Sequence, residues 1–193
     1  MENANSISAG PIQVRSMNPK KFGLWLFLIS VVMIFISLTS AYIVKKAEGD
    51  WLLVDFPAMF KITSVLIVIS SITMHMAYIF SKRNNLPAVK MSLTATALLA
   101  FAFSAGQFLG WKELVKSDIY FVGNAAGSFI YVFTGLHLAH LLGGIIFLFI
   151  VLKRTFQFQV HSKNMLSIEL CTTYWHFLGG LWLYLYLFLI LNN

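Results

Sequence analysis

Glu169 and His176 are the polar residues best placed to do chemistry in this sequence, because both lie inside one apolar stretch near the C-terminus. Their seven-residue spacing is two turns of an α-helix, which puts both on one face about 10 Å apart along the axis. Thr172, Thr173 and Gly180 fall near the same stripe. An acid within a membrane span should face protein or water. The stripe fits either a proton or lipid-headgroup site or a polar seam that hydrogen-bonds a neighbouring helix or subunit, and we favour the seam.

His137 and His140 form a second candidate group, three residues apart in another apolar stretch. Such a pair can share one metal ion, but no cysteine or carboxylate stands beside it. The separated histidine pairs that two stacked haems would need are also missing. The spacing therefore favours hydrogen bonds between helices over a metal or haem site, and we interpret His75 in the same way.

The amino-acid composition indicates the class of protein in which these residues lie. Hydrophobic residues make up 59% of the 193-residue chain and charged residues only 11%, whereas a soluble domain has about 25% charged residues. These values indicate an integral membrane protein and exclude a soluble enzyme, a disulfide scaffold and a disordered chain. The net charge of +7 lies in the loops and forms no basic stripe with interleaved aromatics, so no nucleic-acid partner is expected. The single cysteine, Cys171, cannot form an internal disulfide.

Five apolar runs are long enough to cross a bilayer, which takes about 20 residues. Each is predicted to be a helix, because backbone polar groups in lipid must bond within their own segment. The predicted fold is an all-α bundle of five transmembrane helices in a single domain, residues 21–193, after a flexible cytoplasmic tail, residues 1–20. The spans are predicted at about residues 22–44, 62–80, 91–115, 128–152 and 167–191.

The distribution of basic residues predicts the orientation. The side that holds the N-terminus has nine Lys and Arg residues and the other side has five. Since basic loops stay on the cytoplasmic side, the N-terminus is expected in the cytoplasm and the C-terminus in the periplasm.

Small residues recur every four positions on spans 3 and 4, which predicts that these two helices pack closely through them. A leucine at Gly106 or Gly143 should then push two helices apart. We also expect His176 to lie near span 4 or span 1. The two rows are Ala102, Gly106 and Gly110, and Gly135, Ala139 and Gly143.

Residue chemistry alone indicates an accessory membrane subunit. A small transporter or channel subunit is the competing class, although broken helices, inverted repeats and mid-membrane charges are not evident. A haem-binding membrane cytochrome is a third possibility, which the histidine spacing disfavours.

Several motifs then narrow these classes. The segment Tyr174-Trp175-His176-Phe177, followed by Trp182, resembles the last helix of subunit III of haem–copper terminal oxidases. Glu169 stands where long forms of that family carry a glutamate. Further resemblances lie in the other spans, at Phe22 to Trp25, Ser70 to Met74, Gly106-Gln107 with Trp111, and Gly135 to His140 with Gly143-Gly144. The likeness runs in order from about Lys20 to Leu191 and is closest to the short, five-span bacterial form.

The chain departs from the family pattern at three positions that usually carry an acid. These positions hold Val31, Gly110 and Gly179. Glu113 lies three residues past the matching third-span position and does not replace the missing glutamate. Proton-handling roles of the family therefore cannot be transferred through these positions.

The resemblance implies a non-catalytic subunit III of a proton-pumping, oxygen-reducing complex in the bacterial inner membrane, with either cytochrome c or quinol as electron donor. It implies that this chain stabilises catalytic subunit I, supports its proton uptake and binds phospholipid, and that the haems and copper lie on partner subunits. The implied partners are subunits I and II, other oxidase subunits, a second subunit III-like chain or a larger respiratory supercomplex, and membrane lipid. No catalytic, metal or cofactor residue is expected here; the polar seam is assigned to Glu169, His176, His137, His140 and Trp175.

Overall fold

The computed structural model describes residues 18–49, 51–54, 56–157 and 165–192. Most of the predicted N-terminal tail lies outside these residues. The described chain forms five helices and no strand: α1 (Pro19–Ala47), α2 (Ala58–Lys82), α3 (Leu86–Lys116), α4 (Ala125–Phe156) and α5 (Leu166–Leu191). All five are long and apolar enough to cross a membrane, which confirms the predicted fold class.

Helices α1 to α4 extend past their predicted apolar runs at both ends, and α5 begins one residue before its predicted run. The side chains of Asn18, Asn85 and Asn124 accept hydrogen bonds from first-turn backbone N–H groups of α1, α3 and α4. Such caps satisfy donors that have no partner within the helix. Lysine or arginine occupies the last turn of α1, α2, α3 and α4, where a positive charge interacts favourably with the helix dipole.

The helices pack around α5 in an arrangement that leaves one face of it uncovered. Helix α5 contacts α1, α2 and α4, while α3 packs between α2 and α4. Helix α1 contacts α4 and α5 and shares no contact with α2 among the described residues. The surface of α5 between α1 and α2 therefore forms the floor of a groove.

The predicted packing of α3 on α4 through small residues is wrong. The α3 row faces α2 instead: a side chain at Gly106 would overlap Thr63, and a Cβ at Gly110 would lie 2.5 Å from the Phe60 ring. On α4, Ala139 and Gly143 are exposed. In a membrane bundle all helix faces are apolar, so a row of small residues does not reveal which neighbour it meets.

Helices α3 and α4 meet through larger side chains. The Trp111 indole N–H donates to Thr134 Oγ1 at 2.9 Å, and the Phe103 ring lies edge-on to His137 with centroids 5.9 Å apart. Close approach on α4 occurs at Gly144 instead, where a Cβ would lie 3.0 Å from Leu178 Cδ1 of α5. These contacts determine the relative height of α3, α4 and α5.

Candidate functional site: a polar groove between α1 and α2

Polar and ionisable side chains of α1, α2 and α5 lie along this groove. We define the polar groove by Lys21 of α1, Ser71 and His75 of α2, and Glu169 and His176 of α5. Glu169 and His176 belong to the stripe predicted from sequence. Lys21, Ser71 and His75 reach it from the two flanking helices.

Glu169 is paired with a lysine at the end of the bundle where α1 and α5 begin. Lys21 Nζ donates to Glu169 Oε1 at 2.6 Å, and both side chains are 39% exposed. Glu169 lies in the first turn of α5 and Lys21 in the first turn of α1. The charge of the carboxylate is therefore balanced by Lys21 near the end of the bundle. An isolated charge would be unfavourable in hydrocarbon.

His176 is held by α2, a neighbour that the sequence pattern did not predict. Its Nδ1 lies 2.5 Å from Ser71 Oγ, and its ring centroid lies 5.5 Å from that of His75. Helix α1, one of the two expected neighbours, lies across a cavity from His176. The prediction therefore missed the hydrogen-bond partner, because the rotation of α5 about its axis depends on packing and not on its own sequence.

Trp175 and Trp182 extend the hydrogen bonding between α5 and α2. The Trp175 indole donates to Ser70 Oγ at 3.0 Å, and the Trp182 indole donates to Ser64 Oγ at 2.9 Å. With His176 on Ser71, three α5 side chains bond serines of α2. Ser64 and Ser71 are seven residues apart and so lie on one face of α2, but the sequence of α2 gave no sign that α5 supplies their partners.

Two cavities open along the groove floor. One of about 500 Å³ lies between α1 and α5 and is lined by apolar side chains together with His176, Gly180 and Tyr184. The other, of about 180 Å³, lies between α2 and α5 and includes Ser71, Gly179 and Gly180. Gly180 lines both cavities, and because glycine has no side chain, the floor of the groove is open at this point of α5. Its shape combines an apolar length with polar groups toward one end, which suits an amphipathic molecule or helix.

His137 and His140 lie outside the polar groove, and the prediction that they bond neighbouring helices is wrong. His140 Nδ1 bonds the Leu136 carbonyl of its own helix at 2.7 Å, and its ring packs on Phe27 and Phe35 of α1. His137 is fully buried, and neither of its ring nitrogens has a hydrogen-bond partner among the described residues.

Of the three positions where the family pattern carries an acid, two are closed to a long polar side chain and the third lines a cavity. Val31 is buried at 1% exposure. Phe60 fills the space beside Gly110, and Ile67 and Ser71 lie just under 4 Å from where a Gly179 Cβ would stand. Apolar packing therefore replaces a carboxylate at Val31 and Gly110, whereas Gly179 borders the smaller cavity of the groove.

The described residues contain no group of three or more His, Cys, Asp or Glu side chains that could hold a metal ion. The chemistry available in the groove is hydrogen bonding, ion pairing and apolar contact.

Comparisons with known proteins agree with this architecture. A family model described as cytochrome c oxidase subunit III matches residues 5–192. Subunit 3 of the cytochrome bo(3) ubiquinol oxidase of Buchnera aphidicola is 25% identical, over 91% of this chain and 95% of its own length. Cytochrome c oxidase subunit 3 of Corynebacterium diphtheriae is 26% identical, over 95% of this chain and 94% of its own length. The corresponding subunit of Squalus acanthias is 29% identical, over 86% of this chain and 67% of its own length.

These matches decide between the classes that residue chemistry left open. They give no support to a transporter or channel. Together with the five apolar helices, they make the chain a multi-pass protein of the bacterial inner membrane. Since the family match covers nearly the whole length, the chain belongs to the cytochrome c oxidase subunit III family, the third subunit of haem–copper oxidases.

Proposed function

We propose that this chain is a non-catalytic subunit that stabilises catalytic subunit I, supports its proton uptake and binds phospholipid along the polar groove. The complex reduces oxygen with electrons from cytochrome c or quinol, and the haems and copper lie on the partner subunits. The observation that supports this role best is the uncovered floor of α5, where Glu169 and His176 face the space between α1 and α2.

His75 strengthens the argument for a polar occupant of the groove. It is exposed on α2, seven residues before Lys82 at the helix end, and so lies about 10 Å inside the bundle end. Imidazole in that position is unfavourable against acyl chains and favours protein or lipid headgroup. We place a phospholipid headgroup near Lys21 and His75, with acyl chains along the two cavities of the floor.

The proposed domain organisation is a single five-helix unit over residues 21–193, with its N-terminus in the cytoplasm. Labelling can test this orientation. In a Cys171→Ser background, Asn18→Cys and Gly49→Cys mark opposite ends of α1. A membrane-impermeant thiol reagent added to intact cells should label Gly49→Cys and spare Asn18→Cys; the reverse result would invert the topology.

Co-purification tests the function. The affinity-tagged full chain, extracted in mild detergent, should bring down subunits I and II with a haem spectrum. An oxidase purified without this chain should keep that spectrum and begin turnover normally, then lose activity faster than the complete complex. Recovery of the tagged chain without any haem-bearing partner would refute the oxidase-subunit role.

A further inference from the structure

A second polar cluster lies inside the bundle, away from the groove, where α2, α3, α4 and α5 converge. We call it the polar junction and define it by Thr63 of α2, Gln107 of α3, His137 of α4 and Trp182 of α5. Thr63, Gln107 and His137 have no exposed surface, and Trp182 has only 2%. Gln107 lies nine residues from the end of α3 and His137 twelve from the start of α4, so the junction is roughly 14–18 Å inside the bundle.

Two of these side chains have polar atoms without partners. Gln107 Nε2 donates to Thr63 Oγ1 at 3.1 Å, but Gln107 Oε1 accepts no hydrogen bond from the described residues. Both ring nitrogens of His137 are likewise unpartnered there. Buried polar groups in native proteins are bonded to protein or to ordered water in the large majority of cases. Two fully buried side chains with this deficit in one place indicate a bound ligand.

The helix register places the two unpartnered groups at one level. Trp111 bonds Thr134, and Phe103 contacts His137, which sets the height of α3 against α4. Gln107 lies midway between Phe103 and Trp111 at four-residue spacing, on the same face of α3. His137 lies one turn from Thr134 on α4. Gln107 and His137 therefore approach the junction from adjacent helices within about one turn of each other.

The surrounding side chains limit what the ligand can be. The Trp182 ring lies 5.1 Å from His137 and the Phe103 ring 5.9 Å from it, centroid to centroid. Because these rings pack against His137, a molecule bound there must be small. In the part of the chain that the structure describes, His137 belongs to no group of three or more side chains that could hold a metal ion. A neutral imidazole has one N–H donor and one acceptor, whereas Gln107 Oε1 only accepts.

We propose that the polar junction binds a water molecule that bridges His137 to Gln107 Oε1. The water accepts from the His137 ring N–H and donates to Gln107 Oε1, so it supplies each group with the complementary partner. Buried waters of this kind make two to four hydrogen bonds. Through Thr63 and Trp182, the bridged pair then connects four of the five helices.

Solid-state NMR of the full chain in lipid nanodiscs, with ¹⁵N-labelled histidine, tests this proposal. The His137 ring N–H, assigned by its loss in His137→Phe, should show a cross-peak to a water that exchanges slowly with bulk. Gln107→Leu removes the acceptor at similar size and should abolish that cross-peak. His140→Phe is the matched control: it removes a histidine three residues away that bonds its own helix, and should leave the cross-peak intact.

Two results would overturn the water bridge. One is a wild-type spectrum in which the His137 ring N–H has no cross-peak to water, a result that decides the matter even if Gln107→Leu does not fold. The other is a water cross-peak that persists at full intensity in folded Gln107→Leu, because that water would not depend on Gln107.

Discussion

Helices α2 and α1 flank the same helix, α5, but different interactions hold them there. Three α5 side chains bond serines spread along α2, and α2 also packs tightly on Gly106 and Gly110 of α3. The shortest hydrogen bonds from α1 to the α5 segment lie near the two ends of α1, and a cavity of about 500 Å³ lies between the helices along part of their length. Helix α2 is therefore part of the packed interior, whereas α1 lies on the outside of the bundle.

The ion pair and the short hydrogen bonds from α1 to the α5 segment lie at the two opposite ends of α1. At one end Lys21 pairs with Glu169. At the other, the Tyr42 hydroxyl donates to the Asn192 carbonyl at 3.0 Å and Lys46 Nζ donates to the same oxygen at 2.5 Å. Between them, Phe27 and Phe35 pack on His140 of α4. Substitutions that disturb α2 should therefore have larger effects than those that release one end of α1.

Gly106→Leu should have the largest effect, because its side chain would overlap Thr63 where α2 and α3 are closest. Overpacking a close contact costs about 1–3 kcal/mol. We expect a lower midpoint of thermal unfolding for the chain in detergent. In the complex, this subunit should be lost on extraction while subunit I keeps its haem spectrum.

Gly143→Leu is the matched control for that variant. The sequence pattern predicted that a leucine at either glycine would push two helices apart, but Gly143 is exposed and a Cβ there meets only Tyr174 Oη, at 3.9 Å. Its unfolding midpoint should stay near that of the unsubstituted chain. Equal destabilisation by the two leucines would contradict the difference between interior and outer faces described above.

Lys21→Met should have a smaller effect, because it removes the ion pair with Glu169 at one end of α1 only. A partly exposed ion pair contributes up to about 1 kcal/mol. A double-mutant cycle with Glu169→Leu, which removes both oxygens that Lys21 can bond, should show coupling of that size when unfolding is measured in detergent. Lys45→Met is the control, since Lys45 pairs with Glu48 within one segment of chain and joins no second helix. A coupling of zero between Lys21 and Glu169 would show that the pair does not fasten α1.

Tyr42→Phe should destabilise the chain less again. A hydrogen bond of this kind is worth about 0.5–1.5 kcal/mol, and we expect a loss at the lower end of that range because Lys46 continues to donate to the same carbonyl. Tyr120→Phe, which removes a hydroxyl bonded to exposed Asp118, is the control. A loss larger than that of Gly106→Leu would reverse the ranking of the two helices.

Glu169→Gln should leave enzyme activity level. Glutamine keeps the shape of the side chain and still accepts a hydrogen bond from Lys21, and the family's other acid positions are filled by Val31, Gly110 and Gly179. Oxygen consumption by the complex should therefore remain steady over many turnovers. A decline during turnover, with the subunit still bound, would show that proton supply depends on this carboxylate.

The existence and type of the five helices could be predicted from sequence, because a run of about 20 apolar residues has one stable backbone conformation in lipid. Partners could not be predicted in the same way. The partner of His176 proved to be Ser71, and the small-residue row of α3 met α2. Both outcomes depend on the rotation of each helix, and in an apolar solvent no polar face reveals that rotation.

The placement of α1 also has a consequence for how the protein is made. Among the described residues its helical neighbours are α4 and α5, and about 77 residues separate its end from the start of α4, the earlier of the two. At roughly 5–20 residues per second, a ribosome needs about 4–15 s to cover that interval. During this time α1 resides in the bilayer without the helices it will pack against, while α2 and α3 can already pair. Helix α1 is made before the other four described helices but can dock only after α4 is made, and it has the most hydrophobic 18-residue window of the five, as a segment that must persist alone in lipid requires.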